Sequence, residues 1–213
     1  SGSMYPNLKV GDYLFVSKYA YGYSRNSLPF QLPIIPGRIF YREPQRGDII
    51  VFKTPEDNKT DYIKRLIGLP GDKLKLISNE IYINDKKIER EFVQNENYKL
   101  FNVQKIKEKL PNQKSYEVYE FEKSLSIYNT DNFSEVTIPG DSFFVLGDNR
   151  DNSQDSRYIG FIPKKNLVGR AEVVFLSFDT EIGNFRKFWT WYPALRKNRF
   201  FVSLRPNTED WDG

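Results

Sequence analysis

The sequence predicts a mostly β fold, on three observations. Apolar residues alternate over short runs, turn-forming dipeptides recur between those runs, and long helical periodicity is scarce. Residues 13–16, 48–52 and 73–76 read as strands. Residues 80–88 read as a hairpin turning at Asn84-Asp85. Further strands are expected at 134–138, 142–146 and 167–178. Pro36-Gly37, Arg46-Gly47-Asp48, Pro70-Gly71-Asp72 and Pro139-Gly140-Asp141 punctuate them, with proline fixing φ and glycine accepting a positive one. The composition shifts between residues 86 and 133, where Lys, Glu, Asn and Tyr dominate and turn signals thin out. This stretch is read as an inserted subdomain with one helix around 102–109.

Length and composition bound the chemistry. With 213 residues the chain is long enough to bury a real core in one or two domains. Its longest apolar runs, such as Ile49-Ile50-Val51-Phe52, fall far short of the roughly 20 residues of a spanning helix. The chain opens on Ser1 rather than Met, so it is expected to be a fragment whose upstream part, membrane anchor included, is not represented. Cysteine and histidine are both absent. That excludes disulfides, thiol nucleophiles, histidine-ligated zinc and every histidine-based triad or dyad. A nucleophilic hydrolase built from this sequence needs Lys, a carboxylate or a chain terminus as its base.

The net charge of +4 is uneven. Residues 182–208 hold no acidic side chain, while Arg186, Lys187, Arg196, Lys197, Arg199 and Arg205 alternate with Phe185, Phe188, Trp189, Trp191, Tyr192, Phe200 and Phe201. Such a pattern suits an anionic lipid surface or single-stranded nucleic acid. It equally suits a strand pair with aromatics in the core and a solvated basic face.

Three segments carry chemistry. In Tyr62-Ile63-Lys64-Arg65-Leu66-Ile67, alternation puts Lys64 on one face with Tyr62 and Leu66. Desolvation there lowers a lysine pKa and yields a neutral amine able to take a proton. A surface lysine lying along the sheet is the ordinary alternative. Ser3 sits between Gly2 and Met4 with Pro6 nearby, a setting that exposes a hydroxyl, although Ser-Gly-Ser also reads as a cloning linker. The third segment, GDNRDNSQDSR over 147–157, gathers short polar side chains around Ser153 after a hydrophobic strand and reads as a rigid, hydrogen-bonded turn. A calcium loop is disfavoured, because Arg150 and Arg157 lie inside it and no bidentate Glu closes the spacing.

Taken in order, SGSMYP, RGDIIVF with YIKRLIGLPGD, and GDNRDNSQDSR resemble the boxes of the bacterial type I signal peptidases. The resemblance covers roughly residues 1–85 and 134–178. It implies an antiparallel β-sheet catalytic domain (1–85 and 134–180), a smaller β-rich inserted subdomain (86–133) and a basic-aromatic C-terminal segment (181–213). It also implies a serine endopeptidase without cofactor or metal, cutting signal peptides of preproteins after Ala-X-Ala. Carried over residue by residue, Ser3 matches the nucleophile and Lys64 the general base. Ser1 and the Ser3 N–H match the oxyanion hole, and Ser153 matches the residue that orients the lysine. Met4, Leu8, Val51, Tyr62 and Ile63 are similar to residues lining shallow substrate pockets. Arg65 with Asp148, and Asp155 with Arg157, match structural ion pairs. The family implies a monomer at the bacterial cytoplasmic membrane, with its site on the outer side against lipid and no nucleic-acid partner. The Phe188–Tyr192 region is the candidate lipid face. Two other readings share parts of the pattern. A LexA-like self-cleaving protease has the same Ser-Lys logic but adds a helix-turn-helix domain that is not visible here. A non-enzymatic basic module explains the C-terminal stretch but not the serine and lysine segments.

Overall fold

The computed structural model describes residues 2–24, 38–39, 41–122, 131–179, 182 and 191–208. In chain order the strands begin with β1 (Asp12–Ser17), β2 (Tyr23–Ser24), β3 (Arg38–Ile39), β4 (Ile49–Lys53), β5 (Asp61–Gly68) and β6 (Lys73–Ile77). They continue with β7 (Glu80–Ile83), β8 (Lys86–Lys87), β9 (Glu89–Tyr98), β10 (Phe101–Lys109), β11 (Lys114–Phe121) and β12 (Phe133–Thr137). The last are β13 (Ser142–Leu146), β14 (Ile162–Pro163), β15 (Leu167–Ser177), β16 (Val202–Ser203) and β17 (Asn207–Thr208). A four-residue helix, α1 (Ser156–Ile159), interrupts them. The fold is mostly β and antiparallel.

The main sheet runs β1-β15-β4-β5-β13-β14, with β16 also on β15. A second sheet runs β17-β11-β10-β9 and a third β12-β6-β7-β8. The C-terminal segment is shared, since β16 joins the main sheet and β17 the second.

Strand β13 shows why the sheets stack as they do. All five of its residues are buried. Phe143 and Val145 face a cluster with Ile50, Phe52, Leu66 and Leu167. Phe144 and Leu146 face another with Leu74, Ile81, Ile106 and Val118, contributed by the two smaller sheets. A strand apolar on both faces must be covered on both. A third cluster, of Met4, Leu8, Ile49, Ala171 and Val174, seats the N-terminal segment against the main sheet.

The hairpin at Asn84-Asp85 has both residues at positive φ (51° and 64°), the geometry of a type I′ turn. Gly47 and Gly71 take positive φ at their turns, but Gly140 does not. The Pro36-Gly37 turn lies outside the described residues. The expected helix at 102–109 is instead strand β10. Val103 and Ile106 suggest a helical stripe by their three-residue spacing. In the fold they face opposite sides of one strand, Val103 packing with Tyr98, Tyr119 and Phe121 and Ile106 with the large cluster. Seven consecutive antiparallel pairs with β11 hold the strand extended.

Phe144 is fully buried, with Phe133 and Phe161 against its ring. Phe144→Ala is expected to lower stability by about 3–5 kcal/mol, because the cavity lies between two sheets that cannot close on it. Urea unfolding of the two proteins measures this.

Candidate active site

Strand β5 delivers Lys64 and Arg65 to opposite faces. The Lys64 amine donates to Ser3 Oγ at 2.6 Å and to the Ile63 carbonyl at 3.1 Å. Both side chains are buried, Lys64 at 4% exposure and Ser3 at 5%. Burial lowers the Lys64 pKa from 10.5 to about 8, while the carboxylates of Asp155 and Asp148 pull weakly the other way. Neither carboxylate bonds to the amine, so desolvation wins.

On the other face Arg65 is held by charge. Its Nε and Nη2 donate to the two oxygens of Asp148 at 2.7 Å each, and Nη1 donates to the Gly47 carbonyl at 2.8 Å. Burial works against the guanidinium charge, but Asp148 outweighs it and raises the pKa. Asn7 Nδ2 adds a bond to Asp148 Oδ2 at 2.8 Å and another to the Glu117 carbonyl at 2.7 Å. That ties the N-terminal segment to the same centre.

The 147–157 loop is rigid for reasons that can be read bond by bond. Asp155 caps α1, accepts from the Gly147 N–H at 2.9 Å and takes a bidentate contact from Arg157 at 2.9 Å. Arg157 Nη2 then donates to the Arg150 carbonyl at 2.5 Å. The loop grips the serine segment by its backbone. Asn149 N–H donates to the Ser3 carbonyl at 3.0 Å, and Asn149 Nδ2 to the Gly2 carbonyl at 3.2 Å. Gly147 permits this approach. A Cβ there would stand 2.4 Å from Ser153 Cβ and 2.6 Å from the Ser3 carbonyl oxygen.

Ser3, Lys64 and Ser153 share a cleft of about 990 Å³, walled by Tyr62, Ile63 and Gln154. Tyr62 OH donates to Gln154 Oε1 at 3.1 Å across it. Of the other expected pocket residues, Met4 and Leu8 are buried in the core cluster behind the cleft. Val51 is half-buried opposite Ile63 in the β4–β5 ladder and is not part of the cleft wall. Ser1 lies outside the described residues, as do Phe188 and Trp189. Ser153 Oγ is buried and finds no hydrogen-bond partner among the described residues, so the contact expected between it and the lysine amine is not formed in this arrangement. Both expected ion pairs are present.

Several residues at the site escaped the sequence reading. Glu108 on β10 and Arg150 in the loop form a fully buried bidentate pair, joined by Arg90 and by Tyr116 OH. The signal was an arginine inside the loop without an assigned partner. Its carboxylate could not be placed while residues 102–109 were read as a helix.

A mostly β fold that buries a serine hydroxyl against a desolvated amine beside a cleft is an arrangement suited to a serine hydrolase. The model of the family described as signal peptidase, peptidase S26, matches residues 1–176. The chain belongs to that family and is a serine endopeptidase of signal-peptide processing. It is similar to the signal peptidase I of Rickettsia felis, with 42% identity covering 98% of this chain and 84% of the relative. The signal peptidase I of Rickettsia conorii is 43% identical over 96% of this chain and 82% of its own. A crystal structure of a signal peptidase I from Enterococcus faecalis V583 is 28% identical and covers 61% of this chain and 97% of its own, at a TM-score of 0.36.

Removing one member of a buried ion pair strands the other's charge. Asp148→Ala is expected to cost about 3–5 kcal/mol of stability through the orphaned Arg65. Urea midpoints of parent and variant test it, and a change below about 1 kcal/mol would contradict the burial argument.

Proposed function

We propose that this enzyme cleaves signal peptides after Ala-X-Ala with Ser3 as nucleophile and Lys64 as general base. The observation that carries the reading is the 2.6 Å contact between two buried groups, one of them an amine whose pKa is lowered to about 8. A neutral amine at that distance accepts the Ser3 proton as Oγ attacks the scissile carbonyl, then returns it to the leaving amine. Ser1 and the Ser3 N–H would receive the oxyanion. Ser153, with its free hydroxyl in the same cleft, would take the lysine amine once Ser3 is acylated. Met4 and Leu8 pack in the core cluster against Ile63, a residue of the cleft wall, and this apolar backing suits small apolar side chains in the substrate.

The same reading puts the enzyme at the bacterial cytoplasmic membrane, acting from the outer side as a monomer. No described helix is long and apolar enough to cross a membrane. Support for lipid contact comes from β1 at the edge of the main sheet. Tyr13 and Phe15 are 47% and 57% exposed there and make ring contacts with Phe175, and Tyr13 also with Phe178. Exposed aromatics of this kind suit the bilayer interface. Tyr13→Ser with Phe15→Ser is expected to weaken binding to anionic vesicles in a sedimentation assay while the protein stays folded, its urea midpoint lowered only by the loss of these ring contacts. Unchanged binding would remove β1 from the lipid face.

The dyad is tested by variants and by pH. Ser3→Ala, Lys64→Met and Lys64→Arg are all expected to be folded and inactive, the last because a guanidinium stays protonated. In the parent, kcat/KM should rise with pH through about 8, where the amine becomes neutral. An acidic optimum would sink the lysine base. Stability should feel the same group. Between pH 8 and 10.5 the unfolded chain binds a proton at Lys64 that the folded chain does not, so unfolding free energy rises with pH across that window. Below pH 8 burial of Lys64 costs on the order of 3 kcal/mol. Lys64→Met should therefore be the more stable protein at neutral pH by up to that amount. The gap should close toward pH 10.5 in urea titrations.

A further inference from the structure

The inserted sheet touches the site at several points. Glu108, at 0% exposure, lies on the face of β10 that also carries Ile106. Its carboxylate takes the Arg150 guanidinium through both oxygens, and Arg90 and the Tyr116 hydroxyl also reach it. Burial would push the Glu108 carboxyl up, but Arg150 and Arg90 hold it below the ordinary range. The cations are covered in turn, since Arg90 also pairs with Glu120.

From this centre two paths lead to the reacting groups. Arg150 is itself part of the loop. Its Nε donates to the Gly147 carbonyl at 3.3 Å, and its own carbonyl accepts from Arg157. The neighbouring residues Asn149 and Ser153 grip and face Ser3. On the second path, the Tyr116 ring lies under the Arg65 guanidinium, 4.1 Å from it, and Arg65 follows Lys64 on β5. The β11 backbone reinforces both. Tyr119 N–H donates to the Asp148 carbonyl at 2.8 Å, and Phe121 N–H to Asp151 Oδ2 at 2.7 Å. A purely apolar insert could cover the loop, but it could not fix where Arg150 points.

We propose that Glu108 is a positioning residue of the reaction: from the inserted sheet it holds the 147–157 loop through Arg150, and the lysine strand through Tyr116 and Arg65. The inference rests on the Ser3–Lys64 reading and gives the insert a role in it. Glu108 touches no substrate. It sets where Ser153 and the Ser3 backbone stand relative to the Lys64 amine, and it keeps that amine dry.

The experiment separates positioning from stability. Glu108→Gln alone leaves Arg150 with an unbalanced charge and risks unfolding. The deciding variant is therefore the double change Glu108→Gln with Arg150→Met, which leaves Arg90 paired with Glu120. It is expected to keep a urea midpoint near the parent's while kcat on a peptide substrate falls about 100-fold, the scale of a 1 Å misplacement. KM should change less than kcat, because Tyr62 and Ile63 of the cleft wall lie outside the loop. The rise of kcat/KM should move to higher pH as Lys64, facing Asp155 and Asp148, regains water. A general loss of stability would not move that limb. If the double variant does not fold, Tyr116→Phe decides. It keeps every charge, removes one hydrogen bond to Glu108, and should show a smaller fall in kcat with the same alkaline shift. A parental kcat and pH profile in whichever of the two is the folded, deciding variant overturns the proposal. Ser3→Ala and Lys64→Met are assayed alongside. Turnover in either overturns the dyad itself, whereas inactivity in both with a parental double variant overturns only the role of Glu108.

Discussion

Lys64 and Arg65 are neighbours on one strand, both basic and both buried, yet the fold treats them in opposite ways. Arg65 must remain charged, and it meets a bidentate carboxylate and a carbonyl. Lys64 meets a serine hydroxyl and a carbonyl but, among the described residues, no carboxylate within bonding distance, as the proposed neutral base would need. Strand alternation makes the separation possible, because adjacent side chains leave on opposite faces. A one-residue slip of β5 against β4 would exchange the two and abolish both arrangements. The registry Ile50↔Lys64 and Ile49↔Arg65 is thus the constraint on which the site depends.

The 147–157 loop works under a related constraint. It has to approach Ser3 closely enough to bond its carbonyl, yet carry several charged side chains into the interior. Four of its charges are paired locally or from another strand, Asp148 by Arg65, Asp155 by Arg157 and Arg150 by Glu108, while Asp151 accepts the Phe121 N–H. Gly147 clears the space where Ser153 and the Ser3 backbone meet. Short polar side chains are therefore dense in this loop because bonds inside a buried turn must be made over short reaches.

The parts of this design legible in the sequence are those governed by local pattern. The longer strands of the main sheet follow from short apolar runs between turn signals, and the 84–85 turn from its Asn-Asp pair. Lys64 stood out because it interrupts an apolar strand in a chain without histidine. What stayed hidden depends on distant partners. Whether a lysine on an apolar face is dry cannot be read until the Ser3 segment is laid over it, 61 residues away. Glu108 and Arg150 are 42 residues apart, and nothing in the Lys- and Glu-rich stretch around Glu108 marks one carboxylate as buried. The misread helix has the same origin. Val103 and Ile106 serve two clusters on two sides of β10, a fact of tertiary packing that three-residue spacing cannot distinguish from a stripe. The lipid-facing expectation drew on composition alone, which marks aromatic content without saying which rings are left outside.

Buried ion pairs are poor evidence for stability, since the cost of drying both partners offsets much of their attraction. Three such pairs in and around one loop thus call for a reason other than tightness. Apolar packing tolerates small shifts in angle and depth, because dispersion contacts have little directionality. A bidentate guanidinium–carboxylate pair does not, since both bonds fail together when the planes turn. Arg65 and Arg150 each spend that directionality on a different segment, β5 and the loop, and both arginines connect to the second sheet, one through the Tyr116 ring and one through Glu108. The groups that meet at the cleft, Ser3, Lys64 and Ser153, come from three distant places in the chain. Directional pairs anchored in a common sheet give those segments one frame of reference, and the proton transfer proposed for the 2.6 Å Lys64–Ser3 contact would require such a frame.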